Sequence, residues 1–159
     1  MHVTFVCTGN ICRSPMAEKM FALQIHQRGL GDAVRVSSAG TGAWHIGEPA
    51  DERAARVLRS HGYPTDHCAA QVGVDHLSAD LVVALGRDHV GLLRQYGVDA
   101  PRLRMLRSFD PRSQAHPLDV DDPYYGDHGD FEAAFTVIEA ALPGLHDWVD
   151  EQLTRNGRH

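Results

Sequence analysis

Two side chains six residues apart near the start of the chain, Cys7 and Arg13, are the first that could do chemistry together. They bracket the stretch Cys7-Thr8-Gly9-Asn10-Ile11-Cys12-Arg13-Ser14. A thiol becomes a strong nucleophile once ionised, and a neighbouring guanidinium and a helix N-terminus both favour the thiolate. Arg offers a planar fork that grips two oxyanion oxygens at once. Gly9 allows positive φ and close approach of the backbone to a ligand, and no acidic residue precedes Glu18 to repel an incoming dianion. The pattern is that of a nucleophile beneath a phosphate cradle. A free Cys is more often a small buried hydrophobe, and C-x5-R alone is a weak signal, so the surrounding elements must decide.

They favour the cradle. Val3-Thr4-Phe5-Val6 is short, β-branched and aromatic, which predicts a buried strand. Met16, Ala17, Met20, Phe21 and Leu23 follow at helical spacing, with Ser14 and Pro15 at the favoured N-cap and first helical positions. A helix from Ser14 to about Arg28, stopped at Gly29-Leu30-Gly31, is expected. A tight loop between a strand end and a helix start gathers free N–H groups and the positive end of the helix dipole.

The rest of the chain alternates in the same way. Strands are expected at 33–39, 81–85 and 104–106, and helices from Asp51 to Leu58 or His61, from Arg87 to Tyr96 and from Asp130 to Leu153, the last kinked or divided at Pro143. This order predicts an α/β fold: one three-layer domain over 1–159, with a four-stranded parallel sheet, helices on both faces and a phosphate-binding loop after strand 1. Ligands of such sheets bind outside the carboxyl ends of the strands. The loops at Cys7, at Trp44 and after the fourth strand all emerge there.

A second candidate group lies in the long segment between Ser108 and Asp130, which contains Asp119-Val120-Asp121-Asp122-Pro123-Tyr124-Tyr125-Gly126-Asp127. Long irregular segments are often functional. Pro123 restricts Asp122 to extended backbone and so aims its side chain, whereas Asp119, Asp121, Asp127 and Asp130 read as a solvated acidic turn. Trp44 and His45 sit in the breaker-rich loop 40–49, where an aromatic either packs inward or walls a pocket.

With Cys7–Pro15 and Asp122-Pro123-Tyr124-Tyr125 both present, the sequence resembles the low-molecular-weight protein tyrosine phosphatases, its actinobacterial secreted-type branch most of all. The resemblance spans essentially the whole chain. It implies hydrolysis of phosphotyrosine in proteins through a phosphocysteine on Cys7, with Arg13 as phosphate clamp and Asp122 as general acid and base. It also implies that Thr8, Gly9, Asn10, Ile11, Cys12 and Ser14 form the substrate loop, Asn10 bracing it and Ser14 bonding the thiolate, and that Trp44, His45, Tyr124 and Tyr125 line a cleft for the phenyl ring. In that family the paired tyrosines are themselves kinase targets, and Cys12 forms a protective disulfide with the nucleophile. The chain departs from the family's pattern at Ala70, where an Arg is common, and at Gly86, where an Asp is common.

Composition sets limits. Fifteen basic against 21 acidic residues give a formal charge of -6, which argues against a nucleic-acid binder. Three cysteines do not suggest a disulfide framework, and no signal peptide or 18-residue apolar run appears, so a cytoplasmic protein without membrane partner is expected, with non-classical export open. Eleven histidines form no metal motif, so no metal or other cofactor is expected. Cys68 has no motif around it. Phosphotyrosyl proteins, a tyrosine kinase acting on Tyr124 or Tyr125 and a monomeric state complete the expectations. Three rivals fare worse. An arsenate reductase would need further cysteines between Val72 and Tyr96, a pure binding module would need neither Cys7 nor Asp122, and a P-loop nucleotidase would need a Walker sequence.

Overall fold

The sheet is built around its first strand. In the computed structural model, which describes residues 1–113 and 118–157, β1 (His2–Cys7) lies between β2 (Arg35–Gly40) and β3 (Leu81–Ala84), and β4 (Leu103–Met105) closes the order β2-β1-β3-β4. All three pairings are parallel, and the β1–β2 register runs from His2 opposite Arg35 to Cys7 opposite Gly40. A central strand is buried on both faces, and all six residues of β1 are.

Helices cover both faces. α1 (Arg13–Gln27), α2 (Glu52–Ser60) and α5 (His128–Arg155) pack on one side over Val3, Phe5, Leu81 and Val83. On the other, α3 (Val74–Leu77) and α4 (Arg87–Gln95) bring Leu77, Val90 and Leu93 onto Val6, Val82, Ala84 and Leu103. The four expected strands are all present, with ends shifted by a residue or two, and α3 is a short helix that the periodicity did not reveal.

Three expectations need correction. α1 begins at Arg13 with Cys12 at its N-cap and no side-chain cap; the Ser14 hydroxyl is instead buried against Cys7. α5 starts earlier than expected and is not divided, running through Pro143 as one helix. Its start lies in the supposed solvated turn: the Asp127 carboxylate accepts from Asp130 N–H, and the Asp130 carboxylate from Asp127 N–H, a reciprocal capping box. Asp119 is likewise structural, since its Oδ1 accepts the first N–H of α4, from Arg87, at 2.7 Å. Asp121 alone of the four is simply exposed. Residues 114–117, part of the long segment, lie outside the described residues.

Candidate active site

The loop from Cys7 to Arg13 owes its shape to what is behind it. The carbonyls of Cys7 and Thr8 accept from Thr41 and Gly42 N–H, at 2.9 Å each, and that of Ile11 from Asp51 N–H at 2.8 Å. The carbonyl of Asn10 accepts from His67 Nε2 at 2.7 Å, and that of Cys12 from Met16 N–H. Peptide oxygens drawn backward turn their N–H groups forward, toward the cleft, which is the polarity an anion needs. Gly40, at the end of β2, lets the loop seat so closely that a Cβ there would lie 2.6 Å from the Thr8 carbonyl oxygen.

The left-handed residue of the loop is Asn10, at φ 58°, not Gly9 as expected. Asn tolerates this region when its amide is engaged. Here Nδ2 donates to Ser14 Oγ at 2.8 Å and Ser38 Oγ at 2.9 Å, while Oδ1 accepts from Ala70 N–H at 2.9 Å. Gly9 serves proximity instead, because a Cβ there would stand 3.0 Å from the His45 ring. Asn10 and Ser14 are fully buried beneath the loop, outside the cleft lining, where they support it from below.

Ser14 Oγ stands 2.9 Å from Cys7 Sγ. Its acceptor side is taken by Asn10 Nδ2, which leaves its own hydrogen free for the sulfur; its other neighbour, the Ala39 carbonyl, is farther off at 3.5 Å. Arg13 is buried, with Nη1 donating to the Val120 carbonyl at 3.1 Å and Nη2 to Thr8 Oγ1 at 3.4 Å. The same Nη2 lies 3.5 Å from Asp122 Oδ2. Asp122 Oδ1 accepts from Tyr124 N–H at 3.1 Å, the Asx turn through which Pro123 directs the carboxylate. Burial pushes the Cys12 thiol far up, with Asp51 and Cys7 adding to it, so this second thiol is protonated at neutral pH.

These groups open into a cleft of about 480 Å³. Cys7, Thr8, Gly9, Ile11, Cys12 and Arg13 form its floor, Asp122 its rim, and Trp44, His45, Tyr124 and Tyr125 its walls. Trp44 is 76% exposed and Tyr125 94%, so Trp44 resolves as a wall rather than as inward packing. The Tyr124 and Tyr125 rings meet edge to face at 4.9 Å, and His45 is oriented by Glu48 at 2.6 Å. Arg53 fixes this wall: it pairs with Asp51, donates to the carbonyls of Tyr124 at 2.9 Å and Gly126 at 3.1 Å, and lies 4.5 Å over the Phe131 ring. Burial alone would raise the Asp51 carboxyl, but hydrogen bonds from Arg53 hold it below its usual range.

Arg53, Ser38, His67 and His89 were not singled out by the sequence. Each acts through a partner 28 to 81 residues away (Ser38 and His67 on Asn10, Arg53 on Tyr124, His89 on Thr8), and no local pattern marks such pairs. His89 is fully buried with Nε2 at 2.9 Å from Thr8 Oγ1.

A parallel sheet carrying a thiol, a guanidinium and a carboxylate at its carboxyl edge has close counterparts. The profile of the family described as low molecular weight phosphotyrosine protein phosphatase matches residues 2–158, and the chain belongs to that family of cysteine-dependent phosphatases. It is 77% identical over 157 residues to the low molecular weight protein-tyrosine phosphatase A of Mycobacterium tuberculosis, covering 99% of this chain and 96% of that one. The corresponding Streptomyces coelicolor protein is 50% identical, with 95% and 94% covered. The crystal structure of a protein tyrosine phosphatase from Entamoeba histolytica with Hepes in its active site superimposes with a TM-score of 0.87 at 30% identity, covering 96% of this chain and 98% of that one.

Proposed function

We propose that this enzyme hydrolyses phosphotyrosine in proteins through a phosphocysteine on Cys7. The observation that carries the reading is the convergence of Cys7, Arg13 and Asp122 on one cleft with aromatic walls. The Cys7 thiolate attacks phosphorus opposite the ester oxygen, forming the S–P bond as the P–O bond breaks. Forward-facing loop N–H groups and the Arg13 fork hold the three equatorial oxygens while charge redistributes. Asp122, at the rim, donates its proton to the departing phenolate, whose conjugate acid has a pKa of about 10. Ionised Asp122 then takes a proton from the water that cleaves the S–P bond, and the Ser14 hydroxyl supports the thiolate as it leaves. Thr8, Gly9, Ile11 and Cys12 enclose the phosphate, and Trp44, His45, Tyr124 and Tyr125 bracket the ring.

Further parts of this reading are a monomeric enzyme in the cytoplasm, open to non-classical export, and regulation at the cleft. Tyr125 is the open one of the two tyrosines and the better target for a tyrosine kinase. A peroxide would oxidise the Cys7 thiolate to the sulfenic acid, its O–O bond breaking and its other oxygen leaving as water. Condensation with the Cys12 thiol would then release a second water, form the disulfide and protect Cys7 from further oxidation.

The test is hydrolysis of an aryl phosphate in the presence of chelator, beside Cys7→Ser. Turnover that is lost in the variant supports the reading. A freshly reduced wild type that binds phosphotyrosyl peptide without turnover would overturn it in favour of a binding module.

A further inference from the structure

Arg13 is held on three sides: by the Val120 carbonyl, by Asp122 and by the hydroxyl of Thr8. Thr8 in turn touches His89, a residue on the first turn of α4 that lies beneath the loop and outside the cleft lining. His89 is fully buried, and its Nδ1 has no hydrogen-bond partner.

The directions of the bonds follow from the donors available. The Arg13 guanidinium only donates, so Thr8 Oγ1 accepts from Nη2 and keeps its own hydrogen for another partner. His89 Nε2, at 2.9 Å, is within reach of that hydrogen and accepts it in the tautomer that carries its own hydrogen on Nδ1. Asp88 Oδ1, 3.7 Å from Nδ1, favours that tautomer, since its negative charge prefers an N–H to a lone pair. The groups facing the ring are Arg13 and Thr8 from the phosphate loop, Asp88 beside it on α4, and Asp119 and Asp122 from the segment before α5. Burial, reinforced by the Arg13 charge, pushes the imidazole down to about 4 and keeps it neutral at pH 7. Gly86 belongs to the same device: a Cβ there would stand 3.4 Å from His89 Nδ1 and 2.9 Å from Asp88 Oδ1.

We propose that His89 is a positioning residue for the phosphate clamp, its neutral Nε2 accepting the Thr8 hydroxyl so that Thr8 Oγ1 stays aimed at the Arg13 guanidinium. The proposal rests on Arg13 being the clamp. It assigns to a chain Arg13–Thr8–His89 the task of fixing the guanidinium fork on the side away from Val120.

Titration with inorganic phosphate at pH 7, followed by amide NMR shifts, reads the clamp without turnover. His89→Leu should weaken phosphate binding roughly tenfold, the scale of one lost hydrogen bond to a charged network. His89→Gln should stay close to wild type, because its amide oxygen accepts the Thr8 hydroxyl. In a Thr8→Val background His89→Leu should change nothing further. Equal weakening in both backgrounds, or a Gln variant as weak as Leu, would overturn the proposal in favour of a packing role. Should His89→Leu fail to fold, the ring ¹⁵N shifts of wild-type His89 decide: the Nδ1–H tautomer supports the chain, and the Nε2–H tautomer overturns it. An Arg13→Lys variant that binds phosphate as well as wild type would bring down the clamp reading itself, a different result from failure at His89 alone.

Discussion

Asp122 Oδ2 lies 3.5 Å from Arg13 Nη2 while its other oxygen is tied to the backbone N–H of Tyr124. One carboxylate oxygen thus holds the loop, and the other lies beside Arg13 at the cleft. Replacing Asp122 with Asn keeps the turn and removes the transferable proton. The kcat/KM for phenyl phosphate, which reports formation of the phosphocysteine alone, should fall by about 10²- to 10⁴-fold, the usual worth of general acid–base catalysis. With an acidic phenol as leaving group the loss should be much smaller, since that group departs unprotonated. A loss of equal size for both would remove Asp122 from the role of acid.

Arg53 joins α2 to the tyrosine loop by hydrogen bonds to the Tyr124 and Gly126 carbonyls. Arg53→Met preserves much of the stem that packs on Phe131 but frees both carbonyls. KM for a phosphotyrosyl peptide should rise several-fold with kcat nearly unchanged, because the wall is lost and the Cys7 loop is not. A change confined to kcat would contradict this account.

Gly40 permits the end of β2 to pass beneath Thr8. Gly40→Ala places a methyl 2.6 Å from the Thr8 carbonyl oxygen and 3.1 Å from backbone atoms of Gly9 and Asn10, so it cannot be absorbed by a rotamer change. Overpacking of this kind costs about 1–3 kcal/mol. Thermal unfolding should shift down by several degrees, and activity should fall further than the stability loss explains, since the displaced oxygen belongs to the phosphate loop. An active variant with unchanged thermal midpoint would show that the loop yields.

Acid should weaken the fold through His89, which is buried, and through His67 and His146, which are half-buried. His89 falls from 6.5 to about 4 on folding, chiefly through burial and then through Arg13, and His67 and His146 also move down, chiefly through burial. The unfolded chain then binds more protons, so stability is complete above pH 6.5 and is lost as pH falls toward the folded value. For His89 the full effect is on the order of 3 kcal/mol. Chemical denaturation at pH 7.5 and 5 should show the loss, and His89→Gln should reduce it. Equal losses in both proteins would place the acid sensitivity elsewhere.

The sheet and the reactive pair were legible because their signals are local. A β-branched run, a cysteine, an arginine and a helical stripe succeed one another within about twenty residues, and Pro123 marks Asp122 in the same local way. What could not be read is what holds these pieces from a distance. Asn10 takes the strained conformation expected of Gly9 because Ser14, Ser38 and Ala70 engage its amide, the latter two brought there by β2 and by the segment after α2. Likewise Asp127 and Asp130 looked like a solvated turn, since a capping box that ends in Asp rather than Glu or Gln lacks the common spelling.

The bond from Arg13 to the Val120 carbonyl spans 107 residues. During synthesis the Cys7 loop leaves the ribosome long before the Val120 strut that seats the Arg13 guanidinium. Asp122 follows two residues later, and the helix that packs on this segment later still. A chain made only as far as β4 therefore carries the Cys7 thiol beside an Arg13 that is not yet seated, and lacks Asp122. The cleft shared by Cys7, Arg13 and Asp122 is thus assembled in one late step rather than residue by residue.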